Sequence, residues 1–120
     1  MQRIHLQAAE LKIPDLPFTV TDWSKIEPTE HPGETGTAFW RTVNIGDIRI
    51  RHVEYSEGYL ADHWCDRGHI LLVLEGELVS ELKDGSKTTL TAGMSYQVSD
   101  FGDAAHRSST TTGAKLFIVD

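Results

Sequence analysis

From Thr37 to Val119 the chain is cut into short strand-forming runs by turn residues at close intervals. AFWRTVNI ends at Gly46-Asp47 and IRIRHVEYS continues to Glu57-Gly58, so the two read as a hairpin. HILLVLEG, ELVSELK, KTTLTAG, SYQVSD, HRSSTTT and KLFIV come next, with Asp84-Gly85, Gly93, a Phe101-Gly102-Asp103 loop and Gly113 among them. That makes about eight or nine strands at the spacing of a sandwich or barrel. Before Thr37 the pattern is absent. Gln7–Lys12 has helix-forming composition, and Pro14 and Pro17 would end such a helix. Pro28, Pro32, Gly33 and Gly36 punctuate an irregular lead-in, with a turn expected around Trp23–Ile26. The expected division is an N-terminal extension over residues 1–36 packed on a barrel over 37–120.

Side chains alternate along a strand, so parity assigns faces. HILLVLEG is apolar on both: Ile70, Leu72 and Leu74 on one side, Leu71 and Val73 on the other. A strand of this kind calls for cover outside as well as inside, from a second sheet or a second subunit. Arg49 and Arg51 share a face with Val53 and Tyr55. Turned inward, the two guanidiniums would await a carboxylate or phosphate. The alternative, adopted here as the expectation, puts them in solvent with Ile48 and Ile50 inward. Arg41 and Tyr96 could line a pocket, depending on register, and Arg107, opposite in parity to His106, is expected outside. Glu75 and Glu77 flank a turn glycine and read as solvated.

The 120 residues suggest one domain, long enough to bury a core without disulfides. A net charge of −7 argues against a nucleic-acid binder, which needs a basic face. The lone cysteine, Cys65, cannot pair within the chain. The N-terminal stretch has no continuous apolar run of the secretory type, and no segment reaches membrane-spanning length. The expectation is a cytoplasmic protein with neither nucleic acid nor membrane as partner.

Within this frame DHWCDRGH, Asp62 to His69, gathers two histidines and the cysteine. His63, Cys65 and His69 share one parity, and the turn Asp66-Arg67-Gly68 separates the last from the others. One strand end and one turn can therefore bring all three together. His106 follows a loop, begins another strand and is the candidate fourth donor. Three imidazoles and a thiolate suit a borderline-soft divalent ion, Zn²⁺ first, with Fe²⁺, Co²⁺ or Ni²⁺ also accepted. The bland alternatives are a core or solvated histidine and a small buried thiol. Asp62 is a candidate acceptor for a ligand imidazole, or a turn residue. Trp64, of opposite parity, is expected to pack between sheets or across a dimer. His5, His31 and His52 have no ligand-like spacing.

At these residues a resemblance appears. Gly58-x4-His63-x-Cys65-x3-His69, continuing to Gly76, resembles the first motif of the cupin superfamily. Cys65 stands where that motif has a second histidine and His69 where it has a glutamate. Gly93 through Gly102 to His106 resembles the second motif, with Ser99-Asp100 in place of a proline. Asp62, His63, Trp64 and Cys65 resemble more closely the small group of DHCW-motif cupin fold proteins, and the likeness runs from about Trp23 onward. It implies an all-β double-stranded β-helix, the cupin jelly-roll barrel, with an irregular N-terminal lead-in and a metal inside. It also implies a homodimer. The cysteine and the extra histidine soften the donor set relative to an ordinary cupin site, which favours zinc over iron chemistry.

The functional expectation is a small metal-binding cupin acting on a small polar molecule in the barrel mouth. The ion would be held by His63, Cys65, His69 and His106 and act as a Lewis acid. Tyr96 and Arg51 are weak catalytic candidates. The alternative is a non-enzymatic binding module, or a zinc that is purely structural.

Overall fold

The computed structural model describes residues 13–101 and 105–120. The helix expected over Gln7–Lys12, His5, and Gly102 and Asp103 of the expected loop lie outside the described residues. Among the described residues the chain forms eight strands: β1 (Thr29–Pro32), β2 (Thr37–Ile45), β3 (Ile48–Tyr55), β4 (His69–Leu82), β5 (Lys87–Thr91), β6 (Ser95–Val98), β7 (His106–Ser109) and β8 (Ala114–Val119). Their order is β1-β2-β3-β8-β4-β5, with β6 and β7 also paired to β4. Every pairing is antiparallel. The turn expected near Trp23 is a short 3-10 turn, Trp23–Lys25, and the Asp22 carboxylate accepts from the Ser24 amide at 3.1 Å. β1 is a strand of the lead-in that the sequence reading did not anticipate. It pairs with β2 from Thr29↔Trp40 to Pro32↔Thr37.

HILLVLEG and ELVSELK form one strand rather than two. β4 pairs with β8 and β6 over its first half and with β5 and β7 over its second, so it passes from one sheet into the other. Gly76 is the bend. Its φ is +80°, in the left-handed region, and a Cβ there would run into the backbone oxygen of Gly113. The glycine therefore marks a corner between sheets, not a chain reversal.

The inward face of the first sheet is graded. Val53, Leu116 and Val73 lie side by side across β3, β8 and β4, and all three are fully buried. Each such side chain contributes roughly 1.5–3 kcal/mol by leaving water. The next row runs Arg51, Ile118, Leu71 and Tyr96. Beyond it β3 and β8 remain joined through the backbones of Arg49 and Asp120, and His69 begins β4 with the parity of Leu71. The core thus passes from apolar in the middle of the sheet to charged at one end.

This grading reverses the expectation for β3. Arg49 and Arg51 face the interior with Val53 and Tyr55, whereas Ile48 and Ile50 occupy the outer face. The reason is the row above: Val53 and Tyr55 complete the buried cluster with Leu116 and Leu71, and strand parity carries the arginines in with them. Outside, the lead-in crosses the sheet. Trp23 meets Phe117 edge-on at 6.0 Å and tilts over His52 at 6.3 Å, and Arg41 donates from Nε to the Ile26 carbonyl at 2.9 Å. Arg41 is therefore a tie for the lead-in, on the sheet face opposite Arg51. Farther along the same face Ile70, Leu72 and Leu74 are 58%, 36% and 40% exposed, so the described residues do not supply the second cover expected for this strand.

Candidate functional site

At the charged end of the barrel lies a cavity of about 310 Å³. His63, Cys65, His69 and His106 all line it, as do Arg49, Arg51 and Asp120. Local pairing explains part of this gathering. Cys65 and His106 form an isolated antiparallel bridge, each amide donating to the other's carbonyl at 2.8 Å. Opposite residues in such a pair point to one face, with Cβ atoms about 5 Å apart. His69 enters from the start of β4, and its ring centroid lies 4.8 Å from that of His106. The loop between Cys65 and His69 is tied down by the Asp100 carboxylate, which accepts from the Gly68 amide at 2.7 Å.

The donors share the cavity without closing on one point. The His63 side chain is 73% exposed, and its Nδ1 lies 2.7 Å from the Asp62 carboxylate, the acceptor role considered for that residue. Cys65 Sγ accepts from the Arg67 amide at 3.4 Å. His69 Nε2 lies 2.7 Å from the Tyr96 hydroxyl. Burial raises the Tyr96 hydroxyl well above its ordinary value, so it stays protonated. Burial, reinforced by the neighbouring His106, pushes His69 down to about 4 against the pull of Asp120. A neutral imidazole accepting from Tyr96 at Nε2 presents Nδ1–H toward Asp120, whose Oδ2 is 3.9 Å away. The Nε2 lone pair is then occupied. In chemistry the four donors fit a borderline-soft ion. In arrangement, no group of three or more His, Cys, Asp or Glu side chains among the described residues is placed to hold one.

The sequence reading missed the residue at the centre of the charge. Asp120 is 2% exposed at its side chain and accepts from Arg49 through both Nε and Nη2, each at 2.9 Å, and from Arg51 Nη2 at 2.9 Å. Burial alone would raise its carboxyl, but the bonds from Arg49 and the charges of both arginines hold it below the usual carboxylate range. Trp40, also missed, offers its ring to Arg51 at 4.4 Å and to Arg49 at 5.4 Å, and His31 stacks on it at 3.7 Å. The signal for Asp120 was present in its parity, shared with Leu116 and Ile118.

Arg107 departs from its expected place, and Trp64 meets cations within the chain. The Trp64 ring has Arg107 at 4.7 Å and Lys83 at 5.1 Å. Arg107 is three-quarters buried at the cavity wall rather than outside, and it donates to Glu81 at 3.1 Å. Tyr96 borders a second, smaller cavity of about 220 Å³ that it shares with His106, Leu82 and Leu90. No helix among the described residues is long and apolar enough to cross a membrane.

No protein-family model matches the chain, and no curated protein matches it in sequence. Solved structures do. A predicted oxalate decarboxylase from Thermotoga maritima superposes with a TM-score of 0.69 at 16% identity, over 84% of this chain and 96% of that one. Ectoine synthase from P. lautus gives 0.68 at 16% identity, over 85% and 76%. A cupin-2 domain protein from Shewanella frigidimarina gives 0.55 at 20% identity, over 68% and 78%. With its antiparallel strands and these structural neighbours, the chain has the cupin fold, an all-β jelly-roll barrel.

Proposed function

We propose that this cupin-fold chain binds a small polar molecule in the cavity at the charged end of its barrel, beside a divalent metal ion, most favourably Zn²⁺. The single observation that carries the reading is that the four soft donors and a cluster of arginines line one metabolite-sized cavity. His63, Cys65, His69 and His106 would hold the ion, His63 by leaving Asp62 and His69 by releasing Tyr96. Once bound, the ion supplies Lewis-acid polarisation of an oxygen or a bound water of lowered pKa. The chain's own residues do the rest. Arg51 and Arg49 orient a ligand from a wall fixed by Trp40, and Tyr96 holds a proton on its hydroxyl within reach of His69. Two of the similar structures bear enzyme names, ectoine synthase and a predicted oxalate decarboxylase, and support catalysis as a use of such a barrel.

A second reading, a binding module without catalysis, is favoured by the hydrogen bonds that now occupy His63 and His69. Elemental analysis of purified protein separates the two, alongside Cys65→Ser and His106→Ala. About one equivalent of metal in the parent, lost from both variants while their circular dichroism stays unchanged, supports the metal-dependent reading. A parent without metal, refractory to added Zn²⁺, leaves the binding module.

A further inference from the structure

Asp120 is surrounded by more positive charge than one carboxylate can match. Arg49 and Arg51 bond to it directly, and Arg67 Nε stands 3.8 Å from its Oδ2. Arg107, the fourth arginine of the cavity wall, is already engaged by Glu81 and by Glu34 at 3.9 Å. Three guanidiniums against one carboxylate leave an excess of two positive charges facing the same space, in a chain whose net charge is −7. Guanidinium does not deprotonate in proteins, so the excess persists at every working pH.

Arg51 is the pivotal group. Its side chain is 7% exposed, and its Nε is buried with no hydrogen-bond acceptor among the described residues. A buried donor left unmatched is costly, more so when it carries charge. The guanidinium is also held in place, over Trp40 on one flank and bonded to Asp120 on another, so the side chain stands preorganised at the cavity wall. Arg67, by contrast, is 58% exposed at its side chain and stands at the cavity's solvent side. The two together form a fixed inner donor and a movable outer one.

We infer that the cavity takes small molecules that carry a carboxylate, which joins Asp120 between Arg51 and Arg67. The inference rests on the reading of this cavity as a ligand site and narrows that reading to one substrate class. The planar fork already seen on Asp120, with two parallel bonds from Arg49, is the geometry in which arginine recognises a carboxylate. Inorganic phosphate offers the same oxyanion chemistry in a tetrahedral form and serves as the control for shape.

The test is calorimetric titration of the full chain, as purified and after dialysis against chelator, with succinate, succinamide and inorganic phosphate at low salt. Backbone amide shifts locate whatever binds. Succinate is expected to bind at the cavity at least about tenfold more tightly than succinamide, the ratio a charge-assisted bond supplies. Arg67→Gln, a change at an exposed side chain, should weaken succinate about tenfold and leave the fold intact. Asp120→Asn, which removes the resident anion, should tighten it. Equal binding of succinate and succinamide would overturn the carboxylate assignment and leave the cavity reading standing. So would tighter binding of phosphate than of succinate. Absence of succinate binding overturns the inference, and shifts that place succinate outside the cavity overturn the inference and the cavity reading together. Metal content, measured separately, does not enter any of these outcomes.

Discussion

Acidification of the chelator-treated protein from pH 7 to pH 4 is expected to remove about 3 kcal/mol of its stability through one residue, His69. Its imidazole has an ordinary value of 6.5 and is pushed down to about 4 in the folded chain, chiefly by burial. Above pH 6.5 both folded and unfolded chains carry it neutral, and its contribution is complete. As the pH falls below 6.5 the unfolded chain takes up a proton that the folded chain refuses, so stability declines at about 1.4 kcal/mol per pH unit. The decline levels off near pH 4, where the folded imidazole also protonates. Its Nε2 must then donate, and the Tyr96 hydroxyl 2.7 Å away must turn to accept. His31 and His52 are also lowered, chiefly by burial, and tilt the curve the same way. Asp120 acts in a lower window, since its depressed carboxyl loses its contribution only below its ordinary value of 3.8. Urea denaturation at half-unit pH intervals measures the slope, with His69→Gln as the non-titrating reference and ring-proton NMR following His69 itself. A parent curve flat between pH 6.5 and 4, or a variant that declines as steeply as the parent, would refute the reasoning.

Leu116→Ala, in the middle of the buried row between Val53 and Val73, should cost about 3 kcal/mol in urea denaturation, because the neighbours cannot collapse into the space. A loss below about 1 kcal/mol would mean that the row is not the core. The resemblance implies a homodimer, and the exposed stripe of Ile70, Leu72 and Leu74 on β4 is the apolar surface that would pair two copies. Light scattering should give twice the 13.4 kDa chain mass, and Ile70→Glu with Leu72→Glu should return it to the single-chain value. A parent that already runs as a single chain rejects that pairing.

The strands were legible in the sequence because the turn residues recur at short intervals, and the glycines at Gly46, Gly85 and Gly93 take the positive φ that their turns require. The same signal misled at Gly76. A glycine can close a chain reversal or bend a continuous strand, and only the pairing of β4 with four neighbours distinguishes the two. Parity grouped Arg49 and Arg51 with Val53 and Tyr55 but could not say which face was inside, since Ile48 and Ile50 made the other face equally apolar. The choice is made by Leu116 and Leu71, which meet that group from other strands. His63, Cys65, His69 and His106 were named from spacing, and they line one cavity. The charge that dominates that cavity depends on Asp120, which has no motif and reaches Arg49 and Arg51 across some seventy residues of sequence. Contacts of that range come from the fold, not from local pattern.

Diffraction data collected on either side of the zinc edge, from crystals grown with Zn²⁺, address the metal-supported cavity most directly. The expected result is one anomalous peak inside the cavity, bounded by Cys65, His69 and His106, with His63 swung from Asp62 to meet it. A protein that takes up no zinc, or a peak held elsewhere while His69 remains on Tyr96, would contradict it.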